Sequence, residues 1–392
     1  MREVVILSAV RTPVGRFLGG LSALPAPRLG AVAIRAALDR AGVAPDTVDE
    51  VIMGNVLSAG LGQAPARQAS IGAGLPETVP ATTVNKMCGS GLKAVMLAAQ
   101  AIQSGDADVV VAGGMESMSL APYLLERART GYRFGDAALV DAMLRDGLVD
   151  AYKRIHMGAC CELLNREYRF TREEQDAFAV RSYRRALRAM DEGGFAAELV
   201  PVEVPASRDG STTVAEDEEP RRVNFEKIPQ LPPAFESDGS VTAANSSSIS
   251  DGAAAAVVAG ADVAARLGRM PLARVVGQAG AAGAPEWFTV QPTAAIRRLL
   301  ARIGWTLDEV DLLEINEAFA SVVLAATRDL RLNPERVNVH GGAVALGHPI
   351  GASGTRILAT LLHALQRYDK RRGIASACIG GGEAVALAVE RV

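Results

Sequence analysis

The sequence predicts an α/β fold made of two copies of one unit, with a loop-rich segment inserted between them. Residues 33–49 and 295–311 align without gaps, and nine of the 17 positions are identical. Each copy has the spacing of an amphipathic helix that ends near a shared glycine, followed by an apolar strand at 50–53 or 312–315. This self-similarity indicates a duplication. The alternation of strand and helix signals favours largely parallel sheets covered by helices.

Two further observations extend this prediction. Residues 108–116 and 374–383 are both apolar, strand-like runs that close in glycines and a glutamate, as expected for matching strands of the two copies. The intervening segment carries more charge and proline, and it includes the capping-box pattern of Thr171–Glu174 and the acidic stretch Glu216–Glu219, which we expect in a solvated loop. The predicted organisation is an N-terminal half, an inserted loop domain and a C-terminal half, at residues 1–119 plus 249–268, 120–248 and 269–392 respectively.

The composition excludes several classes of function. The 392 residues carry a net charge of −3 with no basic block, which argues against nucleic acid as a partner. No apolar run reaches the roughly 18 residues that span a membrane, and Met1–Leu7 has the pattern of a first strand rather than of a signal peptide. The four cysteines show no CxxC spacing and HExxH is absent, so we expect no metal site and no disulfide framework. The expected location is the cytoplasm.

Cys88 lies in the most informative stretch of the sequence, Asn85–Leu92, between β-favouring Thr82–Val84 and an apolar, helix-favouring run over Leu92–Ile102. The pattern predicts a strand, a tight glycine turn and a helix. A thiol at such a helix start faces unpaired backbone N–H groups and the positive end of the helix dipole, which favour the nucleophilic thiolate. The alternative is a small buried cysteine that only packs. The flanking glycines weigh against that alternative because they permit close backbone approach.

A second group of candidates lies in the C-terminal copy. His348 precedes Pro349, which holds it in a non-helical turn just before a helix predicted from Ser353. A histidine placed there can take a proton from a thiol, although a structural role at the helix start fits the pattern equally well. Cys378 ends an apolar strand and is followed by Gly380–Gly382, whose N–H groups can hold an oxyanion.

The remaining cysteines and histidines are expected to be structural. Cys160 and Cys161 are adjacent, so they point in different directions on a helix and make poor co-ligands for one metal ion. His340 lies near a strand-like run, and His363 lies inside a predicted helix.

Together these motifs resemble the thiolase family along nearly the whole chain, and within it the bacterial acetyl-CoA acetyltransferases (acetoacetyl-CoA thiolases). The motifs that carry the resemblance are Asn85–Gly91, His156–Gly158, Thr242–Ser247, Asn316–Phe319, Gly341–Gly351 and Cys378–Gly382. The resemblance implies a layered αβαβα fold and a reversible Claisen condensation, in which two acetyl-CoA give acetoacetyl-CoA and CoA. CoA is then a substrate and product, and no separate cofactor is implied.

The resemblance also implies a role for each catalytic candidate. Cys88 attacks the acyl-CoA thioester and becomes acylated, and His348 takes the proton of that thiol. Cys378 removes the α-proton of the second acetyl-CoA. Asn316 positions a water that forms, with His348, an oxyanion hole for the thioester oxygen of the bound CoA substrate. The N–H groups of Cys88 and Gly380 form a second oxyanion hole for the acyl-enzyme.

Substrate and CoA contacts follow from the same resemblance. They are implied at Leu148, His156, Met157, Arg221, Phe235, Ala243, Ser247, Phe288, Ala318 and Phe319. Arg221 is a candidate for the nucleotide end of CoA. Trp287–Pro292 departs from a Met-Gly-x-Gly-Pro run of many relatives, so Phe288 is expected to reshape the acyl pocket. Ala159–Glu162 and Ser248 depart from the family pattern where CoA contacts are expected.

Two alternatives stay open at this point. One is a 3-ketoacyl-CoA thiolase of β-oxidation with broader chain-length or 2-methyl-branched specificity, although Cys-Gly-Ser-Gly at the nucleophile favours the short-chain type. The other is a non-catalytic acyl-CoA- or lipid-binding relative, which the presence of all four catalytic candidates disfavours. The resemblance further implies a homotetramer, a dimer of dimers, with its tetramer contact at Leu120–Asp150.

Overall fold

A mixed ten-stranded sheet is the centre of the fold in this computed structural model, which describes residues 2–205 and 210–392. The strands are β1 (Val4–Arg11), β2 (Gly15–Arg16), β3 (Glu50–Gly54), β4 (Ala81–Val84), β5 (Val109–Ser117), β6 (Tyr123–Leu124), β7 (Val140–Asp141), β8 (Val202–Pro205), β9 (Ser211–Val214), β10 (Ser250–Gly260), β11 (Ala273–Ala282), β12 (Leu312–Ile315), β13 (Arg372–Ile379) and β14 (Glu383–Arg391). The α-helices are α1 (Ala26–Ala41), α2 (Pro65–Gly72), α3 (Ser90–Ser104), α4 (Met157–Tyr168), α5 (Arg172–Asp191), α6 (Ala261–Arg266), α7 (Gln291–Ile303), α8 (Ala320–Leu330), α9 (Ala343–Leu346) and α10 (Ser353–Arg367).

The two copies of the repeat adopt the same local structure. Helices α1 and α7 end at Gly42 and Gly304, both of which have the left-handed backbone (φ +61° and +74°) that glycine adopts without a steric penalty. The predicted strands follow as β3 and β12. The duplication read from the sequence is therefore present in the fold.

The sheet itself shows the duplication. Its strand order is β4-β3-β5-β10-β1-β11-β14-β13-β12, with β2 attached to β10. The order β1-β10-β5-β3 on one side repeats as β11-β14-β13-β12 on the other, and the two halves join where β1 and β11 pair antiparallel at Val5–Arg274 and Ile6–Ala273. One continuous sheet thus places the strand ends of both copies within reach of a shared site.

The prediction of largely parallel sheets is wrong. Only β3–β4, β3–β5 and β12–β13 are parallel among the sheet pairs of residues 2–205 and 210–392. The last strand of each copy, β10 or β14, returns antiparallel into the middle of its half. In the C-terminal copy the return is a tight turn at Gly380–Gly382, and antiparallel neighbours can be joined by such a short turn whereas parallel ones cannot.

Five layers result from the packing of helices on this sheet. Helices α3 and α10 contact each other and lie between the two halves of the sheet, in an apolar cluster that includes Leu92, Val95, Ile357 and Leu361. Helices α1 and α2 cover the other face of the N-terminal half, and α7 and α8 cover that of the C-terminal half. The predicted αβαβα layering is confirmed.

Much of the segment between β5 and β10 lies outside these layers. It contains the small β6–β7 and β8–β9 pairs, a π-helical turn at Met143–Leu148, and helices α4 and α5. Helix α5 begins with the predicted capping box, in which Glu174 N donates to Thr171 Oγ1 (3.2 Å) and Thr171 N donates to Glu174 Oε2 (2.8 Å).

The prediction that Glu216–Glu219 is a solvated loop is wrong for Asp217. This carboxylate is buried and pairs with the fully buried Arg11, with Nη1 to Oδ1 at 2.6 Å, and it also accepts Val14 N at 2.8 Å. A buried guanidinium must be paired because an unpaired buried charge is costly. Burial of Arg11 therefore brings this part of the loop into the core.

The cysteines and histidines that we expect to be structural are buried, and none of them lines the cavity described below. Cys160 and Cys161 are fully buried, and His363 contacts Ala9 O at 2.9 Å across the core. His340 contacts Tyr368 Oη at 3.2 Å. No helix within residues 2–205 and 210–392 has both the length and the apolar composition to cross a bilayer.

Candidate active site

A cavity of about 330 Å³ lies where the two halves meet and the inserted segment covers them. Residues from both copies line it, including Cys88 at the start of α3, His348 before α10 and Gly380 after β13. Most of its remaining lining is apolar, with Met, Phe, Leu, Ile and Ala side chains. Such a mostly apolar cavity with a few polar groups converging on one point is typical of a small-molecule site.

The turn that carries Cys88 is held in a sharp conformation. Met87 has a left-handed backbone (φ +46°). Ser90 Oγ accepts Lys86 N at 2.8 Å and donates to Met87 O at 2.6 Å, which closes the turn between β4 and α3. A Cβ atom added to Gly89 would lie 2.5 Å from Ile379 Cδ1, so the glycine allows the turn to pack directly against β13. The predicted strand, glycine turn and helix are confirmed.

The expectation that this position favours the thiolate is wrong for the resting site. Burial and, to a smaller extent, the negative charge of Glu116 raise the pKa of Cys88 to about 11. Hydrogen bonds from the N–H groups of Gly380 and of Cys88 itself lower it, but less than burial raises it. The prediction considered the N–H donors at the start of the helix but not the apolar surroundings of Cys88, which include Met87, Leu148 and Ile350. At neutral pH the thiol therefore keeps its proton.

His348 is oriented by the first residue of the helix that follows it. Its Nδ1 lies 2.6 Å from Ser353 Oγ, and that hydroxyl donates to Pro349 O at 2.9 Å. The hydroxyl has one proton, which it uses to donate a hydrogen bond to the carbonyl. We therefore assign the proton between Nδ1 and Oγ to the imidazole. Nε2 then carries the lone pair. Burial and, to a smaller extent, the nearby Arg356 charge lower the pKa of His348 to about 3, so the ring is neutral and its Nε2 is able to accept a proton.

Asn316 lies beside the Nε2 edge of this imidazole. Its Nδ2 is 3.4 Å from His348 Nε2, and both side chains are buried. No hydrogen-bond partner for Asn316 Oδ1 exists among the residues that the structure describes. The strand β12 positions Asn316, whose N–H donates to Ser376 O of the neighbouring β13 at 2.9 Å.

Cys378 lies beneath the cavity rather than on its surface. It is fully buried near the end of β13 and packs in an apolar cluster with Phe288, Ala318 and Phe319, all of which line the cavity. Burial raises the pKa of this thiol well above its usual value, and the nearby Cys88 raises it further. The two cysteines are therefore close enough for their charges to interact.

The other predicted contact residues converge on the same cavity with one exception. Its lining includes Leu148, His156, Met157, Phe235, Ala243, Ser247, Phe288, Ala318 and Phe319. Arg221 is not part of that lining. It is half-exposed and pairs with Asp191 Oδ1 at 3.0 Å and Glu216 Oε2 at 3.2 Å.

Two of these contacts have a fixed geometry. His156 is the N-cap of α4, accepts Gly158 N on Nδ1 at 3.0 Å, and stacks on Phe235 with ring centroids 4.7 Å apart. Ser247 is held against Ala318, since both its N–H (3.0 Å) and its hydroxyl (2.9 Å) donate to Ala318 O. His156, Phe235, Ser247 and Ala318 all line the cavity that holds Cys88.

The sequence interpretation missed several groups at the site. Ser353 and Glu116 fix loops around the cavity, and Met118, Ile249 and Ile350 line it. A serine five residues after a histidine gives no signal by itself, because its contact depends on the helix start that follows Pro349. In the sequence Glu116 is only the end of a predicted strand, and the N–H group of Gly351 that donates to it lies 235 residues away.

The comparison with known families agrees with this geometry. Residues 4–262 match the family model described as Thiolase, N-terminal domain, and residues 269–391 match Thiolase, C-terminal domain. The chain belongs to the thiolase family. The resemblance inferred from the motifs is thus confirmed.

Similar proteins cover the whole chain. Acetyl-CoA acetyltransferase of Cupriavidus necator is 54% identical over 392 residues, 100% of each chain, and that of Pseudomonas aeruginosa is 53% identical with the same coverage. The mitochondrial acetyl-CoA acetyltransferase of Homo sapiens is 48% identical over 100% of this chain and 91% of its own.

Two solved structures of thiolases have the same fold. The acetyl-CoA acetyltransferase of Bacillus anthracis superposes with a TM-score of 0.98 at 43% identity, covering 100% of this chain and 99% of the other. A thiolase from Ascaris suum in complex with coenzyme A superposes with a TM-score of 0.94 at 47% identity, covering 100% of both chains.

Proposed function

We propose that this thiolase is an acetyl-CoA C-acetyltransferase, which condenses two acetyl-CoA reversibly to acetoacetyl-CoA and CoA through an acetyl group on Cys88. The observation that carries the proposal is one cavity that holds a thiol, a neutral imidazole with an available Nε2, and two N–H groups that point at the sulfur. CoA is substrate and product in this reaction, which needs no separate cofactor. The full-length relatives named acetyl-CoA acetyltransferase support the same activity.

Acylation of Cys88 starts from an uncharged pair. Because the thiol is protonated and the imidazole is neutral at rest, attack on the thioester must be accompanied by proton transfer from Sγ to Nε2 of His348. The proton stays on His348 Nε2, and the departing CoA thiolate takes the proton of Cys378, which becomes a thiolate. The N–H groups of Cys88 and Gly380, which already point at Sγ, are placed to hold the oxygen of the acyl group.

Condensation requires a second proton acceptor on the other side of the acyl group. The Cys378 thiolate formed as CoA departs is proposed for this role, because this side chain is buried next to the residues that line the acyl end of the cavity. When the enolate attacks the acetyl group, the released Cys88 sulfur takes back the proton held on His348. Asn316 and His348 are proposed to hold, through a water on Asn316, the oxygen of the second acetyl-CoA as its α-carbon becomes an enolate. Removal of one donor from such a hole costs about 2.7–4 kcal/mol in barrier height.

CoA itself is proposed to lie in this cavity. Ser247, Ala243, His156 and Met157 line it together with Cys88 and suit a pantetheine arm. Leu148, Phe235, Ala318 and Phe319 supply the apolar surface along it. Arg221 stays a candidate for the nucleotide end, in competition with the two carboxylates that it pairs with.

Phe288 is proposed to set the length of the acyl group. It is buried, closes the cavity beside Cys378, and packs against Phe319 with ring centroids 6.5 Å apart. A filled end of this kind favours acetyl and acetoacetyl groups over long chains. The broader 3-ketoacyl-CoA thiolase is therefore the second candidate, and thiolysis measured from C4 to C10 decides between them, because faster turnover at C10 would overturn the short-chain assignment.

Turnover and acylation together test the proposal. Wild-type protein incubated with acetyl-CoA should gain one acetyl group by intact mass and should form acetoacetyl-CoA. Cys88→Ala should lose both, whereas Cys378→Ala should keep the acetyl group and lose turnover. Cys160→Ala is a matched control, since this buried cysteine does not line the cavity. Wild type that binds CoA without becoming acetylated would support a non-catalytic acyl-CoA-binding protein instead.

A homotetramer, as a dimer of dimers, is proposed for the assembly. The segment between β5 and α4 exposes large apolar side chains, including Tyr123, Phe134 and Leu139, and such side chains are typical of surfaces that another subunit covers. Light scattering tests this, and a monomer at micromolar concentration would contradict it. A cytoplasmic location is proposed because all four cysteines are unpaired, as is usual in a reducing compartment, and cell fractionation would test it.

A further inference from the structure

Glu116, a fully buried carboxylate on β5, lies beside Cys88 and has no part in the chemistry proposed above. Four donors converge on it. Its Oε1 accepts Asn55 Nδ2 at 2.8 Å and Leu57 N at 3.1 Å, and its Oε2 accepts Val56 N at 3.1 Å and Gly351 N at 2.9 Å. Four donors on one carboxylate fill its usual accepting capacity.

These donors belong to two loops that form the site. Val56 and Leu57 follow β3 and pack, together with Ile350, in the apolar cluster that surrounds Cys88. Gly351 is three residues after His348 in the loop that leads into α10. The carboxylate therefore joins a loop of the N-terminal copy to the histidine loop of the C-terminal copy.

The contact leaves little room for adjustment. A Cβ atom on Gly351 would lie 2.7 Å from Glu116 Oε2, and one on Gly114 would lie 2.0 Å from Gly351 O. The histidine loop thus lies directly on β5. If Glu116 stops accepting the hydrogen bond of Gly351 N, the histidine loop must shift or the buried N–H group of Gly351 is left unpaired, which is costly.

We propose that Glu116 is a positioning residue, whose carboxylate holds the Val56–Leu57 loop and the His348 loop in register so that the imidazole of one copy reaches the thiol of the other. This assignment rests on the proposed acetylation of Cys88. It concerns the geometry of that step, since Glu116 touches neither the cavity surface nor the reacting atoms.

The charge of Glu116 is sensitive to pH in the physiological range. Its pKa is raised to about 7, because burial and, to a smaller extent, the Asp251 carboxylate on β10 raise it more than the N–H groups of Leu57, Val56 and Gly351 lower it. The charges of Asp251 and Cys88 interact with it, and His348 lies on the loop that it holds. Cys88 and His348 have pKa values of about 11 and about 3, so neither titrates near pH 7. As pH falls through 7, the protonated carboxyl gains an O–H donor that opposes one of the four N–H groups.

The test is the pH profile of Cys88 acetylation by acetyl-CoA in single turnover, measured by intact mass between pH 5.5 and 8.5. Wild type should lose acetylation rate as pH falls through about 7. Glu116→Gln, which places an NH₂ group against two of the donors, should acetylate about 10- to 100-fold more slowly and show no acidic limb. Bound CoA should keep the same Kd, because Glu116 does not line the cavity.

Asp251→Asn is the matched control, since it removes a neighbouring buried carboxylate that accepts Ser119 N (2.9 Å) and Ser119 Oγ (2.6 Å) and has no hydrogen bond to the histidine loop among the described residues. It should keep the acidic limb and shift it to lower pH, because it removes the charge that raises the pKa of Glu116. This shift stays measurable even if Glu116→Gln fails to fold.

The outcomes separate the two proposals. A wild type that is never acetylated contradicts the proposed function. A wild type that is acetylated with no limb between pH 6 and 8, or a folded Glu116→Gln with the wild-type rate and profile, contradicts the positioning role alone. If Asp251→Asn leaves the acidic limb at the wild-type pH, the limb belongs to another titrating group, which also contradicts this role.

Discussion

Replacement of Ser353 by alanine tests how the base is held. In the wild type, Ser353 Oγ accepts a hydrogen bond from the Nδ1–H of His348 at 2.6 Å and donates its own hydroxyl hydrogen bond to Pro349 O. Alanine leaves the Nδ1–H buried without that acceptor. The imidazole can avoid this by moving its proton to Nε2, but Nε2 then faces the Asn316 Nδ2 donor at 3.4 Å and can no longer accept the proton of Cys88.

The expected magnitude follows from these contacts. A buried donor that loses its partner costs about 1–3 kcal/mol, and about 1.4 kcal/mol corresponds to a tenfold change in rate. We therefore expect Ser353→Ala to acetylate Cys88 about 5- to 150-fold more slowly. KM for acetyl-CoA should change little, because Ser353 does not line the cavity.

Single-turnover acetylation at saturating acetyl-CoA measures the effect. Thr355→Val is the matched control two residues further along α10, since the Thr355 hydroxyl is buried and has no hydrogen-bond partner among the described residues. It should acetylate at the wild-type rate. A folded Ser353→Ala that also acetylates at the wild-type rate would refute the assignment of Nδ1–H as the oriented donor.

Three further predictions address the thiol, the acyl pocket and the core. With a pKa of about 11, Cys88 should react with iodoacetamide about tenfold faster per pH unit from pH 7 to 9.5, and a plateau below pH 8.5 would contradict the neutral resting thiol. Phe288→Leu should raise thiolysis of C6 relative to C4 substrates by about tenfold, and an unchanged ratio would show that Phe288 does not close the pocket. Asp217→Asn should lower the free energy of unfolding in urea by about 3 kcal/mol, because it leaves the buried Arg11 with one carboxylate partner, Glu198; an unchanged midpoint would contradict this.

The local features of the site could be predicted because short-range chemistry determines them. The turn at Cys88 needs glycines where Ile379 of β13 comes close, and Pro349 separates His348 from the helix at Ser353. The left-handed helix ends at the two repeat glycines are equally local. Each of these signals lies within about ten residues of sequence.

The features that the sequence did not reveal depend on contacts between distant segments. The antiparallel direction of β10 depends on how the chain returns from the inserted segment. Asp217 is buried because it pairs with the buried guanidinium of Arg11. The pKa of Cys88 followed the surrounding apolar cluster rather than its helix end. The contacts of Glu116 join segments more than fifty residues apart, so no local sequence pattern predicts them.

The acetylated residue itself is the most direct test of the account. Wild-type protein should be incubated briefly with acetyl-CoA, quenched in acid, digested and mapped by mass spectrometry. We expect one acetyl group per chain on Cys88, which disappears when CoA is added in excess. An acetyl group on Cys378 or Cys161, or none on any cysteine while acetoacetyl-CoA is being formed, would contradict it.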